Sequence, residues 1–328
     1  MLVQIVFFRK YFSSILRHFF LVGSKTKISN KVDLTGSSLP TPLQELSNEL
    51  TRNAGIRLYI KRDDLIHPYV SGNKWRKLKY SLLAARESGA TTLLTFGGAF
   101  SNHLYAVAAA GAALEFETIG MVRGEDYALN ETHTLQFCRE RGMKLHFISR
   151  EKYRLRTSAN FLSELETQFD KPFIIPEGGT SDLALKGVGE MVEEVKNQLG
   201  FQPDYFAVAA GTGGTAAGIM AAHADVLAFS ALKGGGFLQK DITKLLTDVP
   251  DYGRLTFYTD YHFGGYARWN EHLLAFMDKF KEENQIQLEQ VYTAKMFYGL
   301  FDLIEKGNLT NATIVAVHTG GLQGLLRR

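Results

Sequence analysis

The stretch Tyr205-Phe206-Ala207-Val208-Ala209-Ala210-Gly211-Thr212-Gly213-Gly214-Thr215 decides the fold. Its first six residues read as a strand, the next five as a turn of glycine and threonine, and a helical pattern follows. The same unit recurs along the chain. A strand from Ala90 to Phe96 runs into Gly97-Gly98-Ala99-Phe100-Ser101-Asn102-His103 and an alanine-rich helix that reaches Leu114. Phe173 to Ile175 precedes Pro176-Glu177-Gly178-Gly179-Thr180, and Thr313 to Val317 precedes His318-Thr319-Gly320-Gly321. Four glycine-rich turns after strands exceed what chance loops would supply.

Between these units the pattern predicts strands at Thr118 to Val122, Lys144 to Ile148, Val226 to Ala231 and Thr256 to Thr259. It predicts helices at Asn130 to Arg141, Tyr153 to Phe169 and Leu183 to Leu199. Strands alternating with helices imply an α/β fold with mainly parallel sheets covered on both faces. Ligands of such sheets collect at the carboxyl ends of the strands, where these turns stand. No Pro/Ser-rich linker divides the body, so a second domain is expected as an insertion.

A second stretch points to chemistry. Lys61 to Tyr80 reads as the end of a strand that starts at Arg57, then a polar loop closing on Ser71-Gly72-Asn73, then a helix. Trp75, Leu78, Leu82 and Ala85 make one buried helical stripe, and Gly89 ends it. Lys74 therefore falls in the first helical turn, after a glycine that admits close approach. The positive end of the helix dipole should lower its pKa, as a nucleophilic lysine requires. The competing reading is a solvated basic face, because Arg76, Lys77 and Lys79 follow.

The turn Gly211-Thr212-Gly213-Gly214-Thr215 offers backbone N–H groups and hydroxyls at a helix start, which suits a phosphate. It lacks the lysine of a nucleotide P-loop and the third glycine of a dinucleotide fingerprint, so a phosphate monoester fits best. A tight turn without a ligand is the alternative. Likewise, Ser101 could serve only as a helix cap and Asn102 only as a loop partner. A reactive lysine, a monophosphate cradle and several hydroxyl-bearing turns together are what a pyridoxal 5'-phosphate (PLP) enzyme needs.

The 328 residues allow one or two full-sized domains, and the composition is that of a globular chain. A net charge of +3 without a basic patch gives no case for nucleic acid. Cys138 is the single cysteine, so no internal disulfide is expected, and no Cys/His spacing suggests a metal. No apolar stretch is long enough to span a bilayer. The first 34 residues are basic, amphipathic and free of acids before Asp33. They read as an organelle leader, as a surface-binding helix, or as an extension with no role in the fold; without targeting the protein is expected in the cytoplasm.

Ser71-Gly72-Asn73-Lys74-Trp75-Arg76-Lys77-Leu78, the Gly97–His103 turn, Pro176-Glu177-Gly178-Gly179, the Gly211 turn, Tyr292-Thr293-Ala294-Lys295 and the His318 turn stand in an order that resembles one family. It is the 1-aminocyclopropane-1-carboxylate (ACC) deaminase and D-cysteine desulfhydrase family, a branch of the tryptophan-synthase-β-like, fold-type-II PLP enzymes. The resemblance runs from about Pro40 to the C-terminus. It implies two three-layer open twisted, mainly parallel sheet domains with PLP between them. Residues 1–38 would lie outside the fold, 39–76 with 186–328 would form the larger domain, and 77–185 the inserted one. A homodimer acting on a small amino acid is implied.

Roles follow from the same resemblance. Lys74 would form the imine with PLP and move the α proton. Asn102 would bond the ring hydroxyl, Gly211, Thr212, Gly213, Gly214 and Thr215 the phosphate, and Thr319 the pyridine nitrogen. Ser101 would act at the substrate carboxylate or carbon. His103, Tyr266, Tyr292 and Thr293 would complete the substrate site, with Tyr266 and Tyr292 framing it. Two departures bear on the reaction. Thr293 stands where ACC deaminases carry Glu, as in desulfhydrase-like members, which favours elimination from a D-amino acid. Phe100 replaces a common Gln, which leaves the substrate open. The alternatives are ACC deamination, PLP binding without turnover, and a nicotinamide oxidoreductase, the last disfavoured by the missing fingerprint.

Overall fold

The computed structural model describes residues 37–325. The reading of 1–38 as a leader therefore lies outside the described residues, apart from Ser37 and Ser38. Those two are bonded to the body: Ser37 Oγ accepts from Trp75 Nε1 at 2.8 Å, and Ser38 N donates to Ile66 O at 2.8 Å.

Two sheets organise the chain. The larger runs in the order β1 (Leu43–Leu46), β2 (Arg57–Lys61), β10 (Thr313–Val317), β7 (Tyr205–Ala210), β8 (Val226–Ser230), β9 (Leu255–Tyr258). Its neighbours are parallel except for β1, which pairs antiparallel with β2 at the edge. The smaller sheet is wholly parallel, in the order β5 (Lys144–Ile148), β4 (Glu117–Arg123), β3 (Thr92–Gly98), β6 (Phe173–Ile175).

Both sheets are covered on both faces. Phe206, Val208 and Ala210 point into a core with α7 (Asp182–Leu199), α8 (Gly214–Ala221) and α9 (Phe237–Leu245). Ala207 and Ala209, offset by one residue, point to the opposite core with α10 (Glu271–Asn284) and α11 (Thr293–Glu305), where the short α1 (Glu49–Asn53) also packs. In the smaller sheet, Leu93 and Val122 pack with α2 (Asn73–Glu87), α3 (Asn102–Leu114) and α4 (His133–Glu140). Leu94, Phe96 and Met121 pack with α5 (Arg150–Arg154) and α6 (Ala159–Gln168). Each sheet is thus the middle of three layers.

Strands β2, β5, β6, β7 and β10 have the bounds expected from the sequence. The helix expected over Tyr153 to Phe169 is instead two helices, because Ser158 caps a new start by accepting from Phe161 N. The helix expected from Asn130 starts only at His133, with Thr132 as its cap. β1 was not foreseen.

Helix α2 carries Lys74 and is held by a buried ion cluster. Arg76 bonds Asp63 through Nε at 3.1 Å and Nη2 at 2.8 Å, and Glu194 of α7 through Nη1 at 2.9 Å. Lys61 at the end of β2 also bonds Glu194. Burial works against the Arg76 charge, but Asp63 and Glu194 outweigh it and raise its pKa. α7 comes close enough that a Cβ on Gly187 would lie 2.0 Å from Arg76 O, so only glycine permits this packing.

Candidate active site

The five turns that follow β2, β10, β7, β3 and β6 converge at the carboxyl ends of the strands. Gly72 is the pivot. Its φ is +61°, and a Cβ there would lie 1.9 Å from Thr319 O, so the start of α2 packs directly on the His318 turn. Asn73 Nδ2 donates to Thr215 Oγ1 at 3.0 Å, which ties the same start to the Gly211 turn.

Lys74 Nζ donates to Asn73 Oδ1 at 2.9 Å. Its pKa is pushed down to about 8 by burial, with the Glu289 carboxylate pulling the other way. Burial, rather than the helix dipole expected from the sequence, is the leading cause. The amine is therefore substantially neutral near pH 8, as a nucleophile must be.

The solvated-face reading of the neighbouring cations fails for two of them. Arg76 lies in the ion cluster, and Lys77 is 2% exposed. Lys77 Nζ donates to Thr180 Oγ1 at 3.0 Å and approaches Thr212 Oγ1 at 3.5 Å. Among the described residues it meets hydroxyls and no carboxylate. Burial and the nearby Lys74 hold its pKa well below the usual lysine range. A Cβ on Gly214 would lie 2.7 Å from Thr180 Oγ1 and 3.1 Å from Lys77 Nζ, so glycine leaves this space open. A buried amine that can take up a proton, facing hydroxyls and a helix start, is a fitting seat for a phosphate monoester. The sequence reading missed Lys77 and Thr180. The signal was the i, i+3 spacing from Lys74, which puts both lysines on one helix face.

The smaller sheet contributes the Ser101 turn. Ser101 Oγ accepts from His103 N and Leu104 N, both at 3.2 Å, so it does cap α3, and its own proton remains for a ligand. Asn102 Oδ1 accepts from Gln323 Nε2 at 2.9 Å, and a Cβ on Gly321 would lie 2.9 Å from Asn102 Nδ2. His103 is buried, its Nε2 donating to Thr95 Oγ1 at 2.8 Å, which in turn donates to Ile175 O. Burial, Lys74 and Lys77 keep this imidazole neutral, and it sits in the core beside Gly179. Phe100 is 56% exposed and packs edge-on to Tyr127.

The two tyrosines lie together. The rings of Tyr266 and Tyr292 lie 6.1 Å apart, edge to face, and a Cβ on Gly211 would lie 2.9 Å from Tyr292 Cε1. Burial raises both phenol pKa values, Tyr292 the further, so both keep their protons at neutral pH. Thr293 is fully buried, and its hydroxyl accepts from Glu289 N at 3.0 Å and donates back to Glu289 O at 3.3 Å. That hydroxyl is committed to the backbone, and it was expected to face the substrate. Thr319 is 9% exposed, beside Gly72.

The sequence reading also missed Glu289. This buried carboxylate accepts from Val291 N at 2.7 Å, Tyr292 N at 2.8 Å and Thr293 N at 2.6 Å, capping α11. Burial raises its pKa against the pull of those three donors. A Cβ on Gly321 would lie 3.2 Å from its Cγ, so the carboxylate side chain packs against the His318 turn.

Residues 34–235 match the family described as pyridoxal-phosphate dependent enzyme. The chain belongs to that family. Within it, the chain is 33% identical over 311 residues to the bifunctional D-cysteine desulfhydrase/1-aminocyclopropane-1-carboxylate deaminase, mitochondrial, of Arabidopsis thaliana, a match covering 88% of this chain and 77% of that one. It is 28% identical over 317 residues to the D-cysteine desulfhydrase of Serratia proteamaculans, covering 90% and 94%. A crystal structure titled as an ACC deaminase homologue superposes with a TM-score of 0.75 at 31% identity, covering 88% of this chain and 92% of that one. The protein is a PLP-dependent enzyme of the ACC deaminase and D-cysteine desulfhydrase family, with that family's α/β fold of two parallel-dominated sheets. No helix among the described residues is long and apolar enough to cross a membrane.

Proposed function

We propose that this enzyme eliminates the β substituent of a small D-amino acid, D-cysteine giving pyruvate, hydrogen sulfide and ammonia with one water consumed. When bound, PLP supplies the electron sink that makes loss of the α proton feasible. The chain's residues would do the rest. Lys74, half-buried and with a pKa near 8, would hold the cofactor and then move the α proton. Lys77, Thr212, Thr215 and the Gly211–Gly214 backbone would hold the phosphate, and Asn102, oriented by Gln323, the ring edge. The start of α3 with the Ser101 hydroxyl suits the substrate carboxylate. Tyr266 and Tyr292, protonated at neutral pH, would act as donors to the substrate and its leaving sulfur.

One observation carries the choice of reaction. The position after Tyr292 is a threonine whose hydroxyl is tied to the Glu289 backbone, and the nearby Glu289 carboxylate is engaged by three N–H groups. Neither supplies a free carboxylate to strengthen the sink, and opening a cyclopropane that has no α proton asks more of the sink than elimination does. The discriminating experiment offers D-cysteine, L-cysteine, β-chloro-D-alanine and ACC to the PLP-loaded enzyme. Sulfide, pyruvate, 2-oxobutanoate and ammonia are scored. Sulfide and pyruvate from D-cysteine, with far slower release of 2-oxobutanoate from ACC, supports the proposal. Robust 2-oxobutanoate without sulfide establishes ACC deamination instead, with Glu289 the first residue to mutate. Retained PLP with no turnover would mean a binding protein.

A further inference from the structure

We propose that Lys295 is a positioning residue that clamps the loop bearing Tyr266 over the cleft. The functional side of this rests on the reading of Tyr266 as substrate-facing. Lys295 lies in the first turn of α11, three residues after Tyr292. It is 1% exposed, and its Nζ donates to Gly265 O at 2.7 Å. Among the described residues that carbonyl is its hydrogen-bond acceptor.

The loop it reaches has little regular structure to hold its shape. φ is positive at Phe263 (49°), Gly264 (92°), Gly265 (114°) and Ala267 (53°), a region disfavoured for the two non-glycine residues. His262 restrains the turn: Gly264 N donates to its Nδ1 at 2.9 Å, and Gly265 N to its carbonyl at 2.9 Å. At the side, a Cβ on Gly265 would lie 3.2 Å from Lys233 Cβ, so the loop is pressed against the turn after β8. Gly265 O accepts from both Arg268 N, at 3.1 Å, and Lys295. Tyr266 is the next residue.

One helix therefore sets both tyrosines, Tyr292 by standing at its start and Tyr266 through the Lys295 bond. This accounts for a lysine at a position an apolar side chain would fill more cheaply, since a buried amine must recover its desolvation through its partner. Burial pushes this amine down to about 8, with Glu289 pulling the other way. Such a group is kept for what it bonds, and what it bonds is the carbonyl before Tyr266.

The test uses the PLP-loaded Lys295→Met and Lys295→Gln enzymes. Met keeps the packing without the donor; Gln keeps a shorter donor. Amide hydrogen exchange over residues 261–268 should quicken about tenfold in the Met variant and less in the Gln variant, with α11 itself unchanged. The Kd for PLP should stay within about twofold, while kcat/KM on whichever substrate turns over falls about tenfold. Loop exchange equal to wild type in both variants overturns the proposal. So does failure of both variants to fold, which would make Lys295 a general core support. Quickened exchange with unaltered kinetics sustains the clamp and removes Tyr266 from the substrate site, so the two readings fail separately.

Discussion

Lys77→Met removes the amine from beside the Gly211–Thr215 turn while keeping an unbranched side chain in the same packed position. In the protein without cofactor, the nitrogen has hydroxyl partners only, at 3.0 Å and 3.5 Å, and a pKa well below the usual 10.5. A phosphate arriving there must raise that pKa, so binding takes up a proton and weakens as pH climbs from the free value toward the bound one. A hydrogen bond to a charged group contributes about 1.5–3 kcal/mol. The Kd for PLP should therefore rise roughly ten- to hundredfold in the variant, and the proton-linked part of its pH dependence should vanish. The apo protein should respond in the opposite sense. Because the folded pKa is depressed, folding without cofactor releases a proton from Lys77, and stability falls as pH drops below the ordinary lysine pKa. Near neutral pH the apo variant should melt higher than the apo wild type. PLP titrations between about pH 6.5 and about pH 8.5, with calorimetry of both apo proteins, measure each effect. Unchanged PLP affinity, or weakened affinity together with a lower apo melting temperature, would show that Lys77 is a packing residue and refute the reasoning.

Three further outcomes follow from the same geometry. Lys74→Ala should lose the borohydride-trappable link to PLP, and turnover should fall at least about a thousandfold; in wild type, capture of PLP by Lys74 should accelerate as pH rises through about 8. Gly72→Ala places a methyl 1.9 Å from Thr319 O at a φ of +61°, so a loss exceeding about 4 kcal/mol is expected, read as insolubility or a large drop in melting temperature. Glu194→Gln leaves Lys61 and part of Arg76 uncompensated and should destabilise by about 3–5 kcal/mol near neutral pH. The Glu194 pKa is depressed on folding: burial opposes this, but Arg76 and Lys61 prevail. Its contribution is present above the ordinary value of 4.5 and lost as pH falls through the lower folded one, so urea midpoints of wild type and variant should converge in acid.

Much of this protein follows from local pattern. Runs such as Phe173–Ile175 and Thr313–Val317 specify strands because apolar continuity and the turns that end them are read within a few residues. The glycines after those strands mark the turns at the carboxyl ends of the sheets, and Gly72 marks the start of α2 that carries Lys74, because backbone freedom and helix position are also local properties. Local pattern misleads where a cap interrupts an apolar stripe, as Ser158 does between α5 and α6. It is silent on everything that depends on burial by distant segments. Lys77 reads as one of five cations on a helix, and becomes a phosphate-site candidate only when Thr180, 103 residues away, closes over it. Asn73 meets Thr215 across 142 residues, and Asn102 meets Gln323 across 221. Glu289, Lys295 and the neutral His103 owe their character to removal from water, and the charge a buried group carries depends on which partners the whole fold brings to it. The sequence by itself determined most of the strands, the glycine turns that end them and the place of Lys74 at a helix start; only the tertiary structure decided the edge strand β1 and which charges are buried.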